Sequence, residues 1–209
     1  QAAGHPRHDP GPGAQPLRRL RIQYNAPVVL TFALISLAAL VLGIVTGGWT
    51  TLHLFSVYRA PLTDPLTYVR MVGHVLGHAD YAHYLGNMML LLVVGPPLEE
   101  KYGSSRLLGC ILVTALISGL VQFLLFPGTA LLGASGVVFM MIVLSSLAGM
   151  ETGTIPLTLI LVVILYLGGE LAAALTIQDS VSQLTHIVGG LCGVGLGPLL
   201  RRTKQVQHG

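Results

Sequence analysis

Charged residues are scarce in this sequence. Only 9% of its 209 residues are Asp, Glu, Lys or Arg, whereas 53% are hydrophobic, and a soluble domain carries about 25% charged residues. Water is therefore not the main solvent of this chain, and most of its surface must face lipid. The formal charge is only +3, and the sequence has no basic stripe with interleaved aromatic residues, so we expect no nucleic-acid partner.

Cysteine is also scarce. Cys110 and Cys192 both lie inside apolar runs, with neither CxxC spacing nor a disulfide framework. We interpret both as small packing residues.

Six apolar runs are long enough to predict membrane-spanning helices, which need about 20 apolar residues each. Glycine and proline separate most of the runs, and none shows the alternating polarity of β-barrel strands. The sequence therefore predicts an all-α, polytopic bundle with spans at residues 26–45, 81–98, 107–126, 131–149, 155–176 and 182–200.

The ends of the sequence are polar. Residues 1–25 contain too few apolar side chains to pack, and we predict a disordered basic tail; residues 201–209 form a second, short basic tail. Six spans place both tails on one side, together with nine of the eleven Lys and Arg residues. This asymmetry predicts that both termini are cytoplasmic and that residues 26–200 form the transmembrane domain.

The connection between the first two spans, residues 46–80, is long and rich in apolar residues and histidine. Loops of this length are uncommon and often functional, and the apolar content predicts short helices in the outer interface. His74 and His78 are four residues apart, a spacing that also suits metal ligands. No third ligand follows at a suitable distance, so we favour structural hydrogen bonding and predict no metal.

Polar groups inside spans are costly and mark functional candidates. The second, fourth and sixth spans all run inwards from the outer face, and each carries such groups near its outer end. Ser135 and His186 are each four residues into their spans, about 6 Å deep at the rise of a helix. His83 and Asn87 lie in the first two turns of the second span, at the same depth. Glu170, in the fifth span, is a further ionisable group whose role the sequence leaves open.

The spacing of these residues refines the candidate site. His83 and Asn87 share one helix face. Gly133 and Gly136 flank Ser135 and allow close approach of another backbone, and the start of a helix favours negative charge. The sixth span carries a second set on one face, which predicts close packing on a partner helix: His186, Gly189 and Gly193.

The chemistry of these residue types fits acyl transfer. Serine is a weak nucleophile that needs a base, and histidine serves as one near neutral pH. The developing oxyanion needs fixed donors, which His83, Asn87 and the Ser135 backbone N–H supply. No Asp or Glu lies where it would orient His186, which favours a dyad over a triad.

With these motifs, residues 26–200 resemble the six-helix, bacterial-type core of the rhomboid proteases. The motifs agree in order and separation: His83-Tyr84-Leu85-Gly86-Asn87 resembles HxxxN, Gly133-Ala134-Ser135-Gly136 resembles GxSG, His186 with Gly189 and Gly193 resembles HxxGxxxG, Glu99 with Gly103 resembles ExxxG, and Arg70, His74 and His78 lie in the membrane-embedded first loop.

The resemblance implies a serine endopeptidase of a bacterial plasma membrane, acting through an acyl-enzyme. Ser135 is its nucleophile and His186 its base; His83, Asn87 and the Ser135 N–H form the oxyanion hole. Its substrates are transmembrane proteins cut near the outer face, it needs no cofactor, and the fifth helix is a mobile gate. The sequence departs from the family at Val69, where Trp is usual, and at Phe139, where Tyr often packs on the histidine. Neither change removes a reacting group.

The sequence leaves two alternative functions open. An inactive rhomboid-like protein that binds transmembrane clients typically lacks the Ser or the His, and both are present. A transporter or channel places its polar site near the bilayer centre, often in inverted repeats, whereas this polar set lies near one face and no repeat is evident. The identity of the substrate and the oligomeric state are not encoded in any motif.

Overall fold

A computed structural model describes residues 24–148, 157, 160, 161, 164 and 180–205. Within these residues the chain is all-α, with seven α-helices and no strand, as the apolar runs predict. Most of the predicted fifth span, Glu170 included, and nearly all of the first tail lie outside the described residues. The helices are α1 (Pro27–Val45), α2 (Trp49–His53), α3 (Leu66–Gly73), α4 (Tyr81–Tyr102), α5 (Ser104–Leu125), α6 (Ser135–Ala148) and α7 (Ser180–Gln205), with a 3-10 turn at His74–Leu76.

Helices α1 and α5 are long and apolar enough to cross a membrane, with mean hydropathies of 2.8 and 2.3. Helix α4 is equally long, at 22 residues, but ends in the charged sequence Glu99-Glu100-Lys101. The described part of α6 has 14 residues, about 21 Å at the rise of an α-helix. Length and composition thus single out two spans among the described helices.

Several helix boundaries differ from the predicted spans. The last helix, α7, continues to Gln205, five residues into the predicted second tail. The predicted second span ends at residue 98, whereas α4 continues past Pro96 and Pro97 to Tyr102, as spanning helices tolerate proline. Helix α6 begins at Ser135 rather than at residue 131, so helical rise does not apply to residues 131–134. The segment is extended instead, because Leu131 pairs with Val57 through two backbone hydrogen bonds of 2.9 Å.

The first loop contains the predicted short helices. Helices α2 and α3 and the 3-10 turn fall inside residues 46–80. Helix α3 lies directly on α5, since a Cβ on Gly119 would overlap the backbone of Met71. This contact holds the loop against the helix bundle.

Helix α6 lies at the centre, packed against α4, α5 and α7. Its side chains Val137, Met140 and Met141 are fully buried. The outer helices show the opposite pattern, because Ile44 is 71% exposed and Val93 is 72% exposed. Large apolar side chains facing outwards are what a lipid environment allows.

Glu99 joins the start of α1 to the end of α4. Its two carboxylate oxygens accept the backbone N–H groups of Val28 and Val29 at 2.9 and 3.0 Å, and the Ser104 hydroxyl donates to it at 2.6 Å. The N–H groups of a first helical turn lack partners in their own helix, so Glu99 caps α1 from a distant part of the chain. Gly103 ends α4 with a φ of +88°, which favours glycine.

Candidate active site

Ser135 is the first residue of α6. Its side chain is half-buried, whereas Gly136 and the three residues after it are buried. The first turn of a helix presents free N–H groups and the positive end of the helix dipole. A negative charge that develops beside Ser135 would be stabilised there.

The segment before Ser135 is held by the first loop. Besides the Val57 pairing of Leu131, the Gly133 N–H donates to the His74 carbonyl at 2.9 Å. Gly133 has a φ of +124°, which L side chains rarely adopt. The backbone therefore turns sharply two residues before the serine, in a shape set by the loop.

His83 and Asn87 both lie against this turn. A Cβ on Gly133 would lie 2.8 Å from His83 Nε2 and 3.9 Å from Asn87 Nδ2. The Asn87 side chain is buried, and its Nδ2 has no hydrogen-bond partner among the described residues. A buried donor left unpaired costs about 1–3 kcal/mol. Such a group in a folded protein calls for an explanation, and a role toward a bound or reacting molecule is one.

Several contacts orient the His83 ring. Asp80 caps α4 by accepting the His83 backbone N–H at 2.8 Å. The Ala79 N–H points to His83 Nδ1 at 3.5 Å, and the His78 ring meets the His83 ring edge-on at 5.1 Å between centroids. With Nδ1 accepting the bond from the Ala79 N–H, a neutral ring carries its proton on Nε2, the nitrogen that lies toward Gly133.

His186 lies on α7, and its ring centroid is 6.3 Å from that of Phe139. Ser135 and Phe139 are four residues apart on α6 and share a face. The His186 ring therefore lies along the face that starts with Ser135. Phe139 provides the ring contact expected from the sequence.

The glycines of α7 set the distance between α6 and α7. A Cβ on Gly189 would overlap the Gly136 carbonyl, and one on Gly193 would lie 2.8 Å from the Met140 carbonyl oxygen. Thr185, next to His186, contacts the same residue Gly136. The two backbones thus meet beside the serine turn, as the glycine face of the sequence predicts.

Arg70, His74 and His78 lie inside the first loop. Arg70 is 1% exposed; it pairs with Asp64 at 2.6 Å and donates to the His53 carbonyl at 3.1 Å. The interpretation from sequence is that Arg70 supports the site. Within the described residues its hydrogen bonds and its ring contact are all with the first loop itself. Its hydrogen bond lowers the pKa of Asp64.

The two loop histidines make backbone contacts. His74 Nδ1 lies 3.2 Å from the Arg70 carbonyl oxygen, and His78 Nδ1 lies 3.2 Å from that of Leu76. Burial lowers the pKa of each to about 4, so both rings are neutral near neutral pH. Among the described residues no three His, Cys, Asp or Glu side chains are grouped to hold a metal ion.

Comparison with known proteins places this chain in a family. The model of the rhomboid domain matches residues 65–203, about two thirds of the chain. The chain belongs to the rhomboid family. The matched region contains Ser135, His186, His83 and Asn87.

Three relatives show how far the rhomboid similarity extends. The chain is 33% identical over 139 residues to Rhomboid-related protein 1 of Caenorhabditis elegans, covering 61% of this chain and 38% of that protein. It is 27% identical over 208 residues to Rhomboid-related protein 2 of Mus musculus, covering 88% and 68%. It is 31% identical over 123 residues to Rhomboid protease GlpG of Yersinia pestis (strain Pestoides F), covering 59% and 43%. The match thus spans less than half of the first and third of these relatives.

Some residues around the rhomboid site escape prediction from sequence. The pairings of Val57 with Leu131 and of Arg70 with Asp64 join residues with no local signal in common. Asp80 is different, because an Asp directly before an apolar helix is a typical N-cap and so could have been found. Glu99 supports α1 and does not touch the serine turn.

Proposed function

We propose that this chain is an intramembrane serine endopeptidase with Ser135 as nucleophile and His186 as general base. The observation that carries the proposal is the convergence on one turn. His83 Nε2 lies beside Gly133, and so does Asn87 Nδ2, which has no hydrogen-bond partner among the described residues. Gly133 comes just before a serine at a helix N-terminus. From the other side, the contact of Gly189 with Gly136 brings His186 to the same turn.

The proposed reaction begins when His186 takes the proton of the Ser135 hydroxyl. The Ser135 oxygen attacks the carbonyl carbon of the peptide bond, and the carbonyl oxygen becomes an oxyanion. His83, Asn87 and the Ser135 N–H donate hydrogen bonds to it. His186 returns the proton to the leaving amine, which leaves an acyl-enzyme. Water then attacks the ester carbon while His186 takes one of its protons. His186 passes this proton to the Ser135 oxygen as the ester bond breaks, which restores the serine hydroxyl and the neutral histidine, and the new carboxylic acid ionises.

The substrates we propose are transmembrane segments of other proteins. Family membership makes the chain a membrane protein, and the exposed apolar faces of α1 and α5 suit a bilayer. We propose six spans with both termini in the cytoplasm of a bacterium, because Lys and Arg are in excess on the side that holds the termini. Cleavage then takes place near the outer face, where the sequence places Ser135, and needs no cofactor.

Labelling with a fluorophosphonate probe tests the proposal. We expect the purified chain to label in detergent, and Ser135→Ala and His186→Ala to lose labelling while they keep their melting temperature. Labelling of Ser135→Ala at the wild-type rate would overturn the proposal. A folded wild type that neither labels nor cleaves a panel of transmembrane substrates would instead support an inactive, client-binding rhomboid.

A further inference from the structure

A lateral cleft runs between α1 and α5 below the first loop. It has a volume of about 420 Å³ and is bounded by α1, by α5 and, at its far end, by the residues Val72, Gly73, Val75 and Leu76. Along α5 it extends from Ser104 to Ala115, about 16 Å at the rise of a helix. We refer to it as the α1–α5 cleft.

The lining of the α1–α5 cleft changes along its length. Among the described residues that line it, the polar side chains are Thr31 and Ser104, both near the inner ends of their helices. Both hydroxyls already have partners, in Tyr24 and Glu99. All the lining side chains toward the first loop are apolar. A cleft that is polar at one end and apolar along the rest matches a phospholipid, with its ester groups level with the hydroxyls.

The α1–α5 cleft is continuous with the outer surface of the helices. Ile35 on one wall is 47% exposed, and Leu112 on the other is 46% exposed. In a membrane protein these side chains face lipid, so an acyl chain reaches the cleft without crossing a polar barrier. When the acyl chain enters the cleft, no backbone N–H or C=O group loses its hydrogen-bond partner, because both walls are helices.

The far end of the α1–α5 cleft lies under the turn that holds the candidate active site. Val75 and Leu76 line it, and the carbonyl of the adjacent His74 accepts the Gly133 N–H at 2.9 Å. Whatever fills the cleft packs against the underside of this turn. An occupant that supports the turn therefore also supports Gly133, because the Gly133 N–H is bonded to the His74 carbonyl of that turn.

We propose that the α1–α5 cleft binds one acyl chain of a phospholipid and that this chain supports the His74–Leu76 turn. With the orientation given under the proposed function, this phospholipid belongs to the inner leaflet; the acyl-chain site itself does not rest on that orientation. Tails and protein are equally apolar, so packing contacts drive this binding. We therefore expect a moderate stabilisation, a rise of the melting temperature on the order of 2–4 °C for a chain of this size.

The test compares two lipids and three variants of the full chain after delipidation in maltoside detergent. Dioleoylphosphatidylcholine has long chains, and diheptanoylphosphatidylcholine carries the same headgroup on short ones. Leu112→Trp and Ile35→Trp fill the cleft from opposite walls, whereas Leu116→Trp places the same ring outside it, on an equally exposed position of α5. We expect the long-chain lipid to raise the melting temperature of the wild type and of Leu116→Trp, but not of the two filling variants.

Other occupants give different results. Equal stabilisation of all four proteins, or equal action of both lipids, would overturn the proposal. A melting temperature that follows protein concentration instead of lipid would point to a second copy of the chain. Loss of the lipid effect on deletion of residues 1–22 would point to that segment. Fluorophosphonate labelling is measured in parallel, so a wild type that labels but is not stabilised by the long-chain lipid rejects the cleft proposal and leaves the proposed function standing.

Discussion

Gly136 and Gly189 bring the backbones of α6 and α7 into direct contact, because a Cβ on Gly189 would overlap the Gly136 carbonyl. Gly136 follows the proposed nucleophile, and Gly189 is one turn beyond the proposed base. The distance between the two helices therefore sets the distance between the two proposed reacting groups. Small residues at such crossings let spanning helices approach closely.

The first prediction concerns this contact. Gly189→Ala must push α7 away from α6, and overpacking of this kind typically costs about 1–3 kcal/mol. We expect a lower melting temperature in detergent and loss of fluorophosphonate labelling, because His186 moves with its helix.

Gly195→Ala is the matched control for Gly189→Ala. Gly195 lies on the same helix, and a Cβ there would meet nothing within 4 Å. Alanine is the better helix former by roughly 0.5–1 kcal/mol, so stability should stay equal or rise. If both variants melt and label like the wild type, the helix contact does not position His186.

The second prediction concerns the oxyanion donors. Asn87→Ala removes a donor, and loss of one such donor in a serine protease costs roughly 10²–10³ in kcat. The variant should fold normally, because it deletes a buried amide nitrogen that has no partner among the described residues. Cleavage of a transmembrane test substrate gives the rate, and thermal unfolding gives the stability.

His83→Ala should slow cleavage by a similar factor, since its Nε2 faces the same turn. Met89→Ala is the control, as Met89 is on the same helix and 61% exposed. It should cleave at the wild-type rate. Wild-type rates in both Asn87→Ala and His83→Ala would remove the two residues from the site.

The sequence predicts the parts of this site that depend on helical spacing. His83 and Asn87 share a face because they are four residues apart, and Gly189 and Gly193 follow the same rule. The extended shape of residues 131–134 was not predictable, because a short apolar run fits a helix and an extended segment equally well. The pairing of Val57 with Leu131 joins residues over 70 positions apart, and nothing local in either segment indicates it.

The third prediction concerns Glu99. Glu99→Gln leaves one acceptor oxygen and turns an amide group toward a backbone N–H that needs an acceptor. Hydrogen bonds to charged groups contribute about 1.5–3 kcal/mol each, so we expect a clearly lower melting temperature. The neighbouring exposed residue provides the control, and Glu100→Gln should melt like the wild type. An equal effect in both variants would show that the loss of charge, and not the cap on α1, is responsible.

The last prediction concerns the loss of folding stability at low pH. Burial lowers the pKa of His74 and of His78 to about 4 from an ordinary value of 6.5. As pH falls from 6.5 toward 4, the unfolded chain therefore binds protons that the folded chain does not, and stability falls with pH in this window. We expect a constant melting temperature above about pH 7 and a steady decrease below pH 6.5. His78→Gln should reduce this decrease, whereas His53→Gln, in the short helix α2, should leave it unchanged. A melting temperature that is flat between pH 7 and 4 would contradict the burial of these two rings as neutral groups.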